Sequence, residues 1–273
     1  MGTLYLVATP IGNLEDLSPR AIRTLGEVEL IAAEDTRHTR KLLSHFEIST
    51  PLTSYFEHNK LSKLDYVLAT LRRADVALVS DGGVPGISDP GYELLCAALA
   101  DGYEVRMVPG PSALIAGLAI SGLPTDAFVF LGFLPRKSSE RRQLLSENAS
   151  DRRTLVAFES PHRLSVALAD IEAELGDRPL AVARELTKLH EETFRGVVSD
   201  VREYFSHASA RGEVTLVIGG CLDSEQDKWA AERVRAALQA ALQAGESRTN
   251  ASKDISRQSG WPRREVYSLE LPD

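Results

Sequence analysis

The chain has 273 residues, of which 43% are hydrophobic and 26% charged, with a formal net charge of −8. That length favours two folded domains, the composition excludes a disordered chain, and no apolar run nears the ~20 residues of a membrane helix. A negative net charge argues mildly against a general nucleic-acid binder while leaving room for a local basic face.

In chain order, residues 4–8 read as a strand running into Thr9-Pro10-Ile11-Gly12-Asn13-Leu14. Ser18-Pro19 then opens a helix with proline in its first turn. Residues 30–33 form a strand before Glu34-Asp35-Thr36-Arg37, and residues 60–73 a helix. The apolar run 76–79 reads as a buried strand that delivers the chain into residues 80–91, Ser-Asp-Gly-Gly-Val-Pro-Gly-Ile-Ser-Asp-Pro-Gly. Four glycines and two prolines in those twelve positions bring bare main chain close to a partner. A helix over 92–100 and a strand over 104–108 follow, then Pro109-Gly110-Pro111-Ser112-Ala113 and an apolar helix to 122. Strand, Gly/Pro loop and helix thus recur three times, which predicts a parallel sheet with its loops on one rim.

A second α/β segment follows. Strands are expected at 128–133, 154–158, 180–185 and 214–218, and helices at 138–148, 163–175 and 198–207. Past Gly219-Gly220 the composition turns Ala-rich, predicting a helix over 227–244 and two short helices around Trp261 and Tyr267. The division expected is an N-terminal α/β domain with cofactor loops (1–113), a second α/β domain (114–222) and a small helical domain (223–273). The small residues Ala116, Gly117 and Ala119 suggest close helix packing, with a dimer contact as one reading.

Cys96 and Cys221 are too few for a disulfide framework, and their apolar settings predict small buried thiols. The N-terminal stretch lacks the basic start and cleavage site of a signal peptide, so a cytoplasmic protein is expected. His and Cys spacing predicts no metal site. There is no Gly-Lys-Ser/Thr phosphate loop, no G-x-S-x-G elbow and no three-glycine dinucleotide fingerprint. The glycine loops therefore suit a nucleoside-bearing cofactor without a pyrophosphate, S-adenosylmethionine, with a plain tight connection as the alternative.

Six segments, namely 9–21, 33–37, 80–91, 108–113, Glu159-Ser160-Pro161-His162-Arg163 and 183–188, together resemble the ribosomal RNA small subunit methyltransferase I family. That family is a branch of the tetrapyrrole-methylase-like (class III) methyltransferases, and the likeness runs in order to about residue 220. It implies two α/β domains with S-adenosylmethionine in the cleft between them, a homodimer, and 2′-O-methylation of a cytidine ribose in the decoding region of 16S rRNA. Small ribosomal subunit RNA is the implied partner, with no membrane involved. Matched position by position, the resemblance puts Pro10, Ser80, Asp81, Gly82, Gly83, Val84, Pro85 and Ile87 at the cofactor from the first half. Val84 replaces the acid of the wider superfamily's Gly-Gly-Asp-Pro loop. Ser112 and Ala113 match a small-residue pair facing the cofactor, and Phe158, Glu159, Leu186 and Thr215 its wall in the second half.

A ribose hydroxyl is a poor nucleophile while neutral, so a group should take its proton. Asp35, Asp81, Glu159 and Glu185 are the candidates, with Arg37, Arg184 and Lys188 for phosphate or alkoxide. Asp35, Arg37 and Glu185 are the catalytic set expected. RNA footholds are sought at Arg37, His38, Arg40 and Lys41; at Arg136, Lys137, Arg141 and Arg142; at Arg152 and Arg153; and at Arg257, Arg263 and Arg264. Two other readings stay open: a methyltransferase of a small tetrapyrrole-like substrate, and a non-catalytic ribosome-assembly factor that binds RNA.

Overall fold

The structure, a computed structural model, describes residues 1–55, 60–207, 212–221, 229–243, 245–259, 261 and 263–269. Among these the chain runs β1 (Thr3–Val7), α1 (Pro19–Glu27), β2 (Leu30–Ala33), α2 (Thr36–His45), β3 (Leu52–Ser54), α3 (Lys60–Leu71), β4 (Val76–Val79), α4 (Tyr92–Ala100) and β5 (Glu104–Val108). The five strands form one parallel sheet in the order β3-β2-β4-β1-β5. Alternation within the strands sends Val7, Ile31 and Val79 towards α1 and α2, and Leu4, Leu30 and Leu78 towards α3 and α4. Both faces are covered, so the strands read as continuous apolar runs. Ser18 caps α1, its hydroxyl accepting the Ala21 N–H at 3.1 Å, and Pro19 fills the first helical position.

Helix α5 (Ala113–Ile120) leads into β6 (Phe128–Phe133), α6 (Ser138–Glu147), β7 (Thr154–Glu159), α7 (Leu164–Leu175), β8 (Pro179–Arg184), β9 (Glu192–Val197), α8 (Val198–His207) and β10 (Val214–Ile218). The second sheet has the order β6-β7-β10-β8-β9. Strands β6 and β7 are parallel; β10 runs antiparallel to both its neighbours, and β8 antiparallel to β9. Helices α6, α7 and α8 bury one face through Leu145, Leu168, Ile171, Val201 and Phe205. Helix α5 covers the other, with Leu118 against Val156, Ala181 and Val217. It approaches so closely that a Cβ on Gly117 would lie 2.7 Å from Thr215 Cγ2. The small residue of α5 at this position is therefore spent inside the chain.

The chain divides into two compact units, Met1–Gly220, which holds both sheets, and Cys221–Asp273. The second unit contains α9 (Ala231–Gln243), α10 (Arg248–Ser259) and α11 (Arg263–Ser268) around Val234, Leu238, Ala251, Ile255 and Val266. Trp261 is half-buried, and its indole N–H donates to the Trp229 carbonyl at 2.7 Å, so it anchors this core. The helix expected over 227–244 begins at Ala231; positions 227, 228 and 244 lie outside the described residues.

Several expectations need correction. Cys96 is exposed on α4 and Cys221 partly so, which overturns the reading of both as buried thiols. Strands β3 and β9 were not legible: β3 has three residues, and β9 mixes Thr, Arg and Gly at a sheet edge. Arg141 is no RNA contact. It is 2% exposed and donates to the Asp170 carboxylate and the Pro135 carbonyl, tying α6 to α7. Arg142 and Arg153, by contrast, remain exposed, in surface ion pairs with Glu174 and Asp151.

Candidate active site

Because the first sheet is parallel, the carboxyl ends of β1, β4 and β5 lie side by side and their loops gather at one edge. In the second sheet β7 and β10 are antiparallel, so Phe158 and Glu159 at the end of β7 pair with Thr215 and Val214 at the start of β10. Residues of both edges line one cleft of about 640 Å3, its mouth included.

Nine of the residues singled out in the sequence line it: Gly82, Gly83, Val84 and Ile87 after β4, Ser112 and Ala113 at the start of α5, and Phe158, Glu159 and Thr215 opposite. The loop after β4 is pinned to the loop after β1: Thr9 and Gly83 exchange backbone hydrogen bonds, both 2.9 Å. Gly83 has φ +88°, and a Cβ on Gly82 would lie 3.2 Å from the Pro10 carbonyl oxygen. The backbone at Gly83 therefore favours glycine, and Gly82 leaves little room for a side chain.

The remaining expected residues are spread around the cleft. Leu186 lines a smaller adjoining cavity of about 230 Å3 with Glu185, Lys188 and Ala113. Pro10, Ser80 and Asp81 lie across the Thr9–Gly83 bridge, lining a separate hollow of about 610 Å3 with His38 and Lys41 of α2. Pro85 is buried within its own loop.

Asp35 is the N-cap of α2: one oxygen accepts the Arg37 N–H at 2.8 Å, and the other pairs with the Arg37 guanidinium at 2.7 Å. Arg37 holds this carboxyl well below the usual carboxylate range. Neither residue belongs to the cleft lining. Glu185, in the left-handed region at φ +52°, accepts from Lys188 Nζ at 3.0 Å. Glu159 is 1% exposed; its Oε1 accepts the Ser160 N–H and meets Arg163, while Oε2 has no hydrogen-bond partner.

Seven cleft residues escaped the sequence reading: the apolar Ile11, Leu114 and Val214, and Ser88, Asp89, Phe133 and Glu213. Burial pushes the Asp89 carboxyl up to about 7, the Glu34, Asp81 and Glu213 carboxylates add to the rise, and the Ser80 hydroxyl works against it. Glu34 is raised as well, first by burial. The loops after β2 and β4 interlock here, the Asp81 carboxylate accepting the Asp35 N–H at 3.0 Å and Glu34 the Asp81 N–H at 3.3 Å. Phe133 is 56% exposed at the cleft mouth and also lines an open groove with Pro135, Arg136 and Arg163. A signal for Ser88-Asp89 existed in the Asp-Pro-Gly ending of the glycine loop, which reads as turn chemistry.

Residues 3–202 match the family model described as Tetrapyrrole (Corrin/Porphyrin) Methylases. A Synechocystis protein named ribosomal RNA small subunit methyltransferase I is 48% identical over 273 residues, covering 99% of this chain and 98% of its own length. The chain belongs to that family. Proteins of the same name from Thermotoga maritima (49% identity; 81% of this chain, 99% of the relative) and Bacillus subtilis (42%; 98% and 93%) agree. Among solved structures, uroporphyrin-III-C-methyltransferase of Thermus thermophilus aligns with TM-score 0.55 at 22% identity, covering 80% of this chain and 94% of that one. A cobalt precorrin-4 methyltransferase aligns with TM-score 0.60 at 16% identity and the same coverage. These two establish the shared fold.

The family's methyl donor is S-adenosylmethionine. The cleft suits it. Bare main chain at Gly82-Gly83 leaves room for a flat ligand, Phe133 and Phe158 supply apolar surface, and among the described residues the lining holds Asp89, Glu159 and Glu213 but no Lys, Arg or His. A site of this sign favours a cation and repels a polyphosphate. When bound, the cofactor brings its own electrophile, a methyl group on positively charged sulfur. What the protein must supply is position, exclusion of water, and somewhere for a proton to go.

Proposed function

We propose that this protein methylates the 2′-hydroxyl of a cytidine ribose in the decoding region of 16S rRNA, using S-adenosylmethionine held in the cleft between its two sheets. Methylation of small-subunit rRNA rests on membership of the family; the ribose oxygen and the nucleotide are the extension made here. The observation that carries the reading is the pairing of a glycine-floored, cation-favouring cleft with a basic, aromatic rim. Gly82, Gly83, Val84, Ser112 and Ala113 would face the donor from one side, and Phe158, Glu159 and Thr215 from the other, with Pro10, Ser80, Asp81, Pro85, Ile87 and Leu186 supporting or extending that wall. Exposed Arg37, His38, Arg40 and Lys41 on α2, and Arg136 beside exposed Phe133, suit phosphates and an unstacked base. Arg263 and Arg264 are exposed on α11, the Arg257 side chain lies outside the described residues, and Arg152 is engaged within the chain. Asp35 at the cap of α2, Arg37 in its first turn and Glu185 after β8 would act on the RNA. We also propose a three-part organisation, 1–113, 114–222 and 223–273, and a homodimer acting in the cytoplasm. No helix among the described residues is long and apolar enough to cross a membrane.

The test is transfer of labelled methyl from S-adenosylmethionine to purified small ribosomal subunits, run beside a porphyrinogen. Label on subunit RNA alone supports the reading; label on the tetrapyrrole alone contradicts it. Binding of the donor by calorimetry, with Gly83→Ala losing at least tenfold in affinity, separates an enzyme from an RNA-binding factor that takes up no donor.

A further inference from the structure

We propose that Asp89 is the proton acceptor of the transfer, taking the hydrogen of the attacking hydroxyl as the oxygen–methyl bond forms. The proposal rests on the reading of the cleft as the methyl-transfer site. Among the described residues, three carboxylates line that cleft. Glu159 is closed off by Arg163 and the Ser160 N–H, and Glu213 is exposed to water. Among the described residues of the lining, Asp89 is the one carboxylate that is half-buried and free of a cationic partner. Asp35 and Asp81, the acids nearest in sequence pattern, are engaged by the start of α2 and lie outside the lining.

The mount of Asp89 is stiff. Ser88 before it is held at φ +61°, which a residue other than glycine adopts at a cost, and Pro90 after it has its φ fixed by its ring. Groups from three elements surround the carboxyl: Glu34 after β2, Ser80 and Asp81 after β4, and Glu213 before β10. All the charged ones are acids, so the carboxyl binds a proton more readily than a free one would, its affinity lying near neutrality.

The chemistry balances within the cleft. The hydroxyl oxygen attacks the methyl carbon, the carbon–sulfur bond breaks with its electron pair left on sulfur, and the hydroxyl proton passes to an Asp89 oxygen. Before transfer the pair is carboxylate and sulfonium; afterwards it is carboxylic acid and neutral thioether. Net charge is unchanged, so no new ion is created where water is scarce. The proton leaves to water once the products depart. The same pairing ties donor binding to ionisation: a cation entering the cleft drives the proton off Asp89.

Two measurements on the full chain test this. Donor binding at pH 7 is titrated calorimetrically in two buffers of different ionisation enthalpy. Wild type is expected to release roughly half a proton and Asp89→Asn none. Turnover is then followed on purified small subunits across pH. Asp89→Asn is expected to lower kcat by about 10²-fold or more, raise KM for the donor by about five- to tenfold as the proton linkage requires, and lose the acid limb of the profile, with Asp89→Glu restoring part of it. Equal proton release by wild type and Asp89→Asn, or an Asn variant that keeps kcat and the acid limb, overturns the role while leaving the methyl-transfer reading intact. A wild type that transfers nothing to the subunits overturns that reading, and the role with it. Melting of each variant confirms that folded protein is compared.

Discussion

Asp35 and Asp89 differ in what surrounds them, and the sequence could see only one of the two settings. An acid immediately before a helical stretch is legible as a cap, and Asp35 is one. The environment of Asp89 is assembled from Glu34, 55 positions upstream, and from Glu213, far downstream, so nothing local announces it. It gives a stability signature with a definite sign. The folded-state value, about 7, lies above the unfolded one, so its contribution is fully present below about pH 4 and is lost as pH rises through 7. Melts of the donor-free protein should therefore find Asp89→Asn more stable than wild type at pH 8, with the gap closing towards pH 5. A gap independent of pH would contradict the burial described. At the same scale, exposed Phe133 offers a face to an unstacked base. Phe133→Ala should raise KM for small subunits about tenfold, as expected from base stacking of about 1–3 kcal/mol.

Loops were the most legible elements because their glycines and prolines carry the signal locally. The segment 80–91 was readable as a ligand loop, and Gly83 at φ +88° explains why it must be glycine. Gly117 was noticed as one of three small residues, but its reason is tertiary: α5 lies directly on β10 at Thr215. Gly117→Leu should push the helix away from the second sheet and, as overpacking, cost about 1–3 kcal/mol, seen as a lower midpoint in urea. It should also weaken donor binding, because Ala113 at the start of that helix lines the cleft. Edge strands such as β3 and β9 evade a sequence reading for a physical reason. One ladder of hydrogen bonds and one partner strand demand little apolar pattern.

Across the molecule, the three strand–loop–helix repeats near the start gave the parallel first sheet, since each repeat is itself a local pattern. The order of the second sheet was not legible. Placing β10 between β7 and β8 is a long-range choice, made by burial of Leu216 and Ile218 on one face and Val217 on the other. That choice has a functional consequence, because it sets Thr215 beside Phe158 at the cleft wall. Sequence similarity extends the inference to substrate, and the two sheets with a cation-favouring cleft between them supply the means. The most direct test is where the methyl group comes to rest. Small subunits incubated with the protein and isotopically labelled S-adenosylmethionine are digested to nucleosides and resolved by mass spectrometry. A labelled methyl on the ribose of cytidine, from a fragment of the decoding region, is the predicted result. Label on a base, or on no nucleoside at all, would contradict it.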